Sequence, residues 1–156
     1  MVRRPTTTQL CHDATLCRCR GRETDRPRIC VVTPTPLLVV EIEPTGDDAA
    51  PPRGDVHTHL GGQGLWVAGM AHSLGADVTV CGPFGGEIGS LLTRMLQEAG
   101  IAQKAVAYGR GNGSSVYDRR GGDREVVARM TPPRLSRHAV DDLYGTALVA
   151  ALDESG

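Results

Sequence analysis

The stretch Gly61-Gly62-Gln63-Gly64-Leu65-Trp66-Val67-Ala68 constrains this chain more than any other. It follows an extended segment at residues 55–60 and opens a run with helical spacing, in which Val67, Met70, Ala71 and Leu74 recur at i, i+3, i+4 and i+7. Glycines clustered at such a junction let a ligand come close to the backbone and leave amide N–H groups open at a helix N-terminus. Behind them, Gly75-Ala76-Asp77-Val78-Thr79-Val80-Cys81-Gly82 reads as a helix stop and then a buried strand. Glycine turn, helix, strand, second glycine turn and second helix in that order predict an α/β layered domain.

Composition agrees. At 156 residues with 40% hydrophobic content, the chain suits one domain with a real core. Aromatics make up only 3% while glycine numbers 20, a balance that favours tightly packed α/β layers over a β-sandwich. A formal charge of −1 gives no electrostatic case for nucleic acid or an anionic membrane as partner. No apolar run approaches the roughly 20 residues that span a bilayer, and no signal core follows the first arginines, so a cytoplasmic protein with reduced thiols is expected.

Residues 1–28 differ from the rest. Arginines at 3, 4, 18, 20, 22, 26 and 28 among few apolar residues predict a disordered tail. Cys11, His12, Cys17 and Cys19 lack the paired spacing of a zinc site, and no metal site is assigned. Residues 29–33 form a short apolar strand stopped by Pro34 and Pro36, with Cys30 as a small packed hydrophobe. Extended pieces at 37–43 and 55–60, joined by a loose loop, predict a β-flap beside the main sheet. On its returning strand His57 and His59 share one face, where they contact solvent or a substrate.

The second helix carries the stripe Ile88, Leu91, Leu92, Met95, Leu96 and Ala99, stopped at Gly100. Gly85 and Gly86 at its start are read as structural, since Glu87 would repel an anion there. Residues 101–108, 114–119 and 125–130 are further strands, the last two a hairpin over Gly121-Gly122-Asp123. Ser136 caps a third helix whose stripe is Val140, Leu143, Tyr144, Ala147, Leu148 and Ala151. No parallel strand follows it in this sequence, which predicts an open sheet edge or an uncovered apolar helix face.

Over residues 29–152 the sequence resembles the N-terminal half of the phosphofructokinase-B (PfkB, ribokinase-like) carbohydrate kinases. The resemblance lies in Val32-Thr33-Pro34-Thr35-Pro36, in Gly61-Gly62-Gln63-Gly64, and in Gly82-Pro83-Phe84-Gly85-Gly86-Glu87-Ile88-Gly89. It implies a partial ribokinase-like α/β fold: a mainly parallel sheet with flanking helices, plus a small β-lid from strands near 37–60 and 113–130. It also implies ATP and Mg2+ as cofactors, bound largely by residues outside this chain, a sugar or polyol as ligand, and a homodimer through the lid. Gly61, Gly62, Gln63, Gly64, Trp66, His57 and His59 are the substrate-binding residues so implied.

Departures from the family pattern shape the functional reading. Val39 stands where the family has an acceptor-binding aspartate, and Trp66 where it has an asparagine. Trp66 then either stacks on a sugar or base or fills the core. Gln63 replaces a lysine and Ser115 lies where an arginine is usual, which points away from a phosphorylated sugar. The Gly-Ala-Gly-Asp motif that supplies the family's general base does not occur in this sequence, so no residue here is assigned a catalytic role and phosphoryl transfer by these residues alone is not expected. Two functions follow: the acceptor-binding portion of an ATP-dependent sugar kinase, or a non-catalytic polyol-binding or dimerisation module derived from one. A dinucleotide-binding domain fits worse, because prolines replace the glycines needed after the first strand.

Overall fold

The computed structural model describes residues 26–45, 54–132 and 134–153. Most of the 1–28 tail, the cysteines at 11, 17 and 19, and the 46–53 loop lie outside them; Arg28 itself opens the first strand. In chain order the elements are β1 (Arg28–Val32), β2 (Leu37–Glu43), β3 (Asp55–Gly61), α1 (Gln63–Ser73), β4 (Asp77–Phe84), α2 (Gly86–Glu98), β5 (Ala102–Ala107), β6 (Gly113–Asp118), β7 (Glu125–Met130) and α3 (Arg137–Asp153).

Two sheets result. The first is parallel throughout, ordered β1-β4-β5, as β-α-β crossovers require. The second is a mixed, four-stranded lid ordered β3-β2-β6-β7, built from the stretches expected to form it. The main core fills the space between the first sheet, α1, α2 and the lid's inner face. Leu65 and Ala68 of α1, Leu92 and Leu96 of α2, and Val78 and Val80 of β4 are buried there, with Leu38, Val40 and Leu60 packing from the lid. Each fully buried leucine stabilises the fold by about 2 kcal/mol. A smaller cluster on the sheet's other face joins Cys81 and Val106 to Leu143 and Ala150 of α3.

The helix ends follow local chemistry. Gly75 (φ 93°) and Gly100 (φ 72°) each reverse the chain in the left-handed region just past a helix, where a side chain would be strained. The Ser136 hydroxyl accepts from the Ala139 amide at 3.2 Å, the expected cap. β4 runs past its expected end at Cys81 to Phe84, through Pro83. Proline is tolerated because β1 pairs only as far as Cys81, so at Pro83 β4 has β5 alone as a partner.

Two apolar stripes need correction. In α1 the stripe Val67, Met70 and Leu74 faces outward, 53%, 62% and 85% exposed, while Leu65, Ala68 and Ala71 face the core. In α3 Leu143, Ala147 and Ala150 pack inward, leaving Val140, Tyr144 and Leu148 exposed. That uncovered face adjoins exposed Val32, and β1 pairs only β4 among the described residues. No helix among the described residues is long and apolar enough to cross a membrane.

Candidate functional site

The glycine cluster joins lid to helix. β3 ends at Gly61, and Gly62, at φ 94°, turns the chain into α1. What comes close to these glycines is the chain itself. A Cβ at Gly61 would lie 2.6 Å from side-chain atoms of Leu37 and Val39, and one at Gly64 2.5 Å from the Thr33 Cβ. The cluster thus lets β3 and α1 cross tightly over the β1–β2 connection. No side chain caps α1 and no acidic residue occupies its first turn.

Strand register decides what faces this junction. Leu37, Val39 and Glu41 of β2 share a lid face with His57, His59 and Gly61 of β3 and with Gly113, Ser115 and Tyr117 of β6. Ser115 pairs with Arg129 of β7, which brings that arginine to the same face. Between this face and the start of α1 lies a cavity of about 1010 Å³. It is lined by Gly62, Gln63, Trp66 and Val67 from the wall around the start of α1, by Ser115, Tyr117 and Arg129 from β6 and β7, and by Arg124 and Arg134. Its lining holds three arginines and no carboxylate.

A second cavity of about 850 Å³ adjoins it, shares Val39, Trp66 and Arg124, and is lined further by Glu41, His59, Met70 and Met95. Here Glu41, whose side chain is 13% exposed, pairs with Arg124 at 2.9 Å, Arg119 at 3.6 Å and His59 Nε2 at 3.9 Å. The Arg124 guanidinium also stacks 3.7 Å from the centre of the Tyr117 ring. Tyr117 is held below its ordinary pKa of 10.0, first by a hydrogen bond with Arg129, then by one with Ser115; burial opposes this, and the charges of Arg124 and Arg129 add to it. Glu41 thus fixes Arg124, while Arg129 engages a neutral phenol and keeps its charge uncancelled by any carboxylate lining the larger cavity.

No protein-family model matches the sequence, and no curated protein does. Solved structures do match. Phosphofructokinase-2 from Escherichia coli, in a complex with potassium, superposes with a TM-score of 0.66 at 21% identity over 80% of this chain and 41% of that one. The same enzyme with fructose-6-phosphate gives 0.66 at 20% identity, covering 79% and 42%. The fold is ribokinase-like. A carbohydrate kinase from Agrobacterium tumefaciens matches at a TM-score of 0.51 and 19% identity, covering 69% of this chain and 35% of that one. The chain therefore spans about 41% of the length of the first of these.

Within this partial ribokinase-like fold, Gly62, Gln63 and Trp66 come together in the larger cavity. Gly61 and Gly64 sit behind that wall, against Leu37, Val39 and Thr33. His59 lines the smaller cavity, and His57 stacks on it with ring centres 6.4 Å apart while lining neither. Trp66 is 64% exposed, so it is not the core filler that one reading of its position allowed. Sequence reasoning missed Arg124, Arg129 and Arg134, because it sought cations only at positions 63 and 115. The hairpin over residues 121–123 was legible, but regular pairing outward from it would set Ala128 opposite Ser115; a register shift between Val116 and Tyr117 brings Arg129 there instead, and nothing in the sequence marks it. The cleft is therefore rich in cations.

Proposed function

We propose that this chain is the acceptor-binding and lid portion of a sugar-kinase fold. Its larger cavity takes a sugar or polyol whose hydroxyl accepts the phosphoryl group of ATP in a complete kinase. One observation carries the reading: an exposed indole, the glycine turn that opens α1 and three arginines line one cavity whose lining has no carboxylate. The Trp66 ring offers an apolar face to a sugar ring, and arginine forks favour an anionic substituent on it. A sugar carrying a phosphate or carboxylate fits this lining better than a neutral one, contrary to the expectation drawn from Gln63 and Ser115 alone.

In a complete kinase, ATP would supply the phosphoryl group and Mg2+ would offset its charge. Among the described residues no three His, Cys, Asp or Glu side chains gather closely enough to hold a metal ion. At the start of α2 the Gly85 amide already donates to Asn112 Oδ1 at 2.8 Å, and a Cβ at Gly85 would meet the Tyr108 carbonyl. That glycine turn serves packing.

Trp66 is the sole tryptophan, so its emission reports on the cleft directly. Titration with fructose-6-phosphate should give a saturable change, with fructose weaker, and Arg129→Ala should weaken the phosphate ester about tenfold or more. Emission unmoved by sugars and sugar phosphates alike would contradict the reading. A homodimer through the lid is favoured by one feature, the exposed Val126, Val127 and Met130 on the edge strand β7. Light scattering on the purified chain distinguishes monomer from dimer.

A further inference from the structure

Two thiols outside the cleft sit in contact. Cys30 on β1 and Cys81 on β4 are 51 residues apart in sequence, yet their sulfurs lie 3.6 Å from each other. The register explains this: Cys30 pairs with Thr79 and Val32 with Cys81, so the two cysteines form a diagonal pair on one face of adjacent parallel strands. That face is covered by α3, where the Ala147 carbonyl oxygen lies 3.8 Å from the Cys30 sulfur. Cys81 is fully buried, whereas Cys30 is half-buried and so open to a small reagent.

We propose that Cys30 and Cys81 are a redox pair, oxidised to a disulfide by a hydroperoxide. The Cys30 sulfur, as thiolate, attacks the peroxide's distal oxygen; the S–O bond forms, the O–O bond breaks and the alcohol, or water from hydrogen peroxide, departs. This leaves a sulfenic acid on Cys30. The Cys81 sulfur then attacks the Cys30 sulfur; the S–S bond forms, the S–O bond breaks, and the hydroxide leaves as water with the Cys81 proton. Two thiols lose two electrons and the peroxide gains them. The sulfurs close from 3.6 Å to about 2.05 Å, which requires the side chains to turn and the backbones of β1 and β4 to draw together at this diagonal.

The bond would have a structural consequence. It closes a loop containing β2, β3 and α1, and so ties the lid's first hairpin and the wall of the cleft to the central strand. A covalent loop of that length restrains the unfolded chain and favours the folded one.

The test uses the whole chain. Hydrogen peroxide is added in slight excess, remaining thiols are alkylated, and peptides are mapped without reduction. The expected result is a peptide joining Cys30 to Cys81, reversed by dithiothreitol, with the melting temperature of the oxidised protein raised by at least about 5 °C. A Cys11→Ser, Cys17→Ser, Cys19→Ser variant, which keeps only the proposed pair, should give the same link and the same rise. Recovery of Cys30 as sulfinic acid, or of both thiols still alkylatable, in that variant would overturn the proposal. So would a wild-type protein in which Cys30 joins only the N-terminal cysteines.

Discussion

Asn112 binds three parts of the molecule at one buried point. Its Oδ1 accepts from the Gly85 amide at the start of α2, while its Nδ2 donates to the Pro83 carbonyl at 2.9 Å and the Pro36 carbonyl at 3.3 Å. The residue is 1% exposed, so removing its amide strands two buried carbonyls and a partly buried N–H without their partner. Asn112→Ala should cost about 2–4 kcal/mol in urea unfolding, and a loss below about 1 kcal/mol would contradict this account. Asp118 makes a different prediction. Hydrogen bonds from the Arg120 side chain and then its backbone amide hold the Asp118 carboxyl down at about 2, from an ordinary 3.8. A depressed carboxyl pKa stabilises the fold above the unfolded value, and that contribution is lost as pH falls from about 4 through about 2. Carboxyl NMR titration should place the Asp118 midpoint near 2 in the wild type and distinctly higher in Arg120→Ala, where only the backbone amide still donates to it. Equal midpoints in the two proteins would count against the pairing.

Helix faces separate what periodicity can and cannot reveal. In α3 the packed row is Leu143, Ala147 and Ala150, whereas Leu148 is 53% exposed. Leu143→Ala should therefore cost about 2–4 kcal/mol, and Leu148→Lys should change stability by no more than about 0.5 kcal/mol. Similar losses from both would mean that α3 is rotated from the position described. Element order was legible because each apolar run is bounded by Gly, Pro or a capping Ser, as at Gly75, Gly100 and Ser136. The buried face of α1 was not legible, since Leu65, Trp66, Val67, Ala68, Met70 and Ala71 surround the helix with apolar surface and leave no polar side to orient it. The cationic wall of the cleft was hidden for another reason. Arg129 lies 14 residues from Ser115, and only strand pairing makes them neighbours.

At the scale of the whole chain, a parallel three-stranded sheet supports a four-stranded lid, with the cleft where the two meet at Gly61 and Gly62. The chain covers 41% of a phosphofructokinase-2 that shares its fold, and the open β1 edge with the exposed face of α3 is where this α/β architecture remains uncovered among the described residues. On the proposed function, the lid and the glycine turn together bind a sugar bearing an anionic group. The decisive measurement is a titration of fructose-6-phosphate into 15N-labelled protein, followed through the backbone amides. The amides of Gly62, Gln63, Trp66, Ser115 and Arg129 should shift together and saturate at one ligand concentration, while those of Leu92 and Leu96 in the core stay fixed. Shifts centred on β1 and α3, or none anywhere, would contradict it.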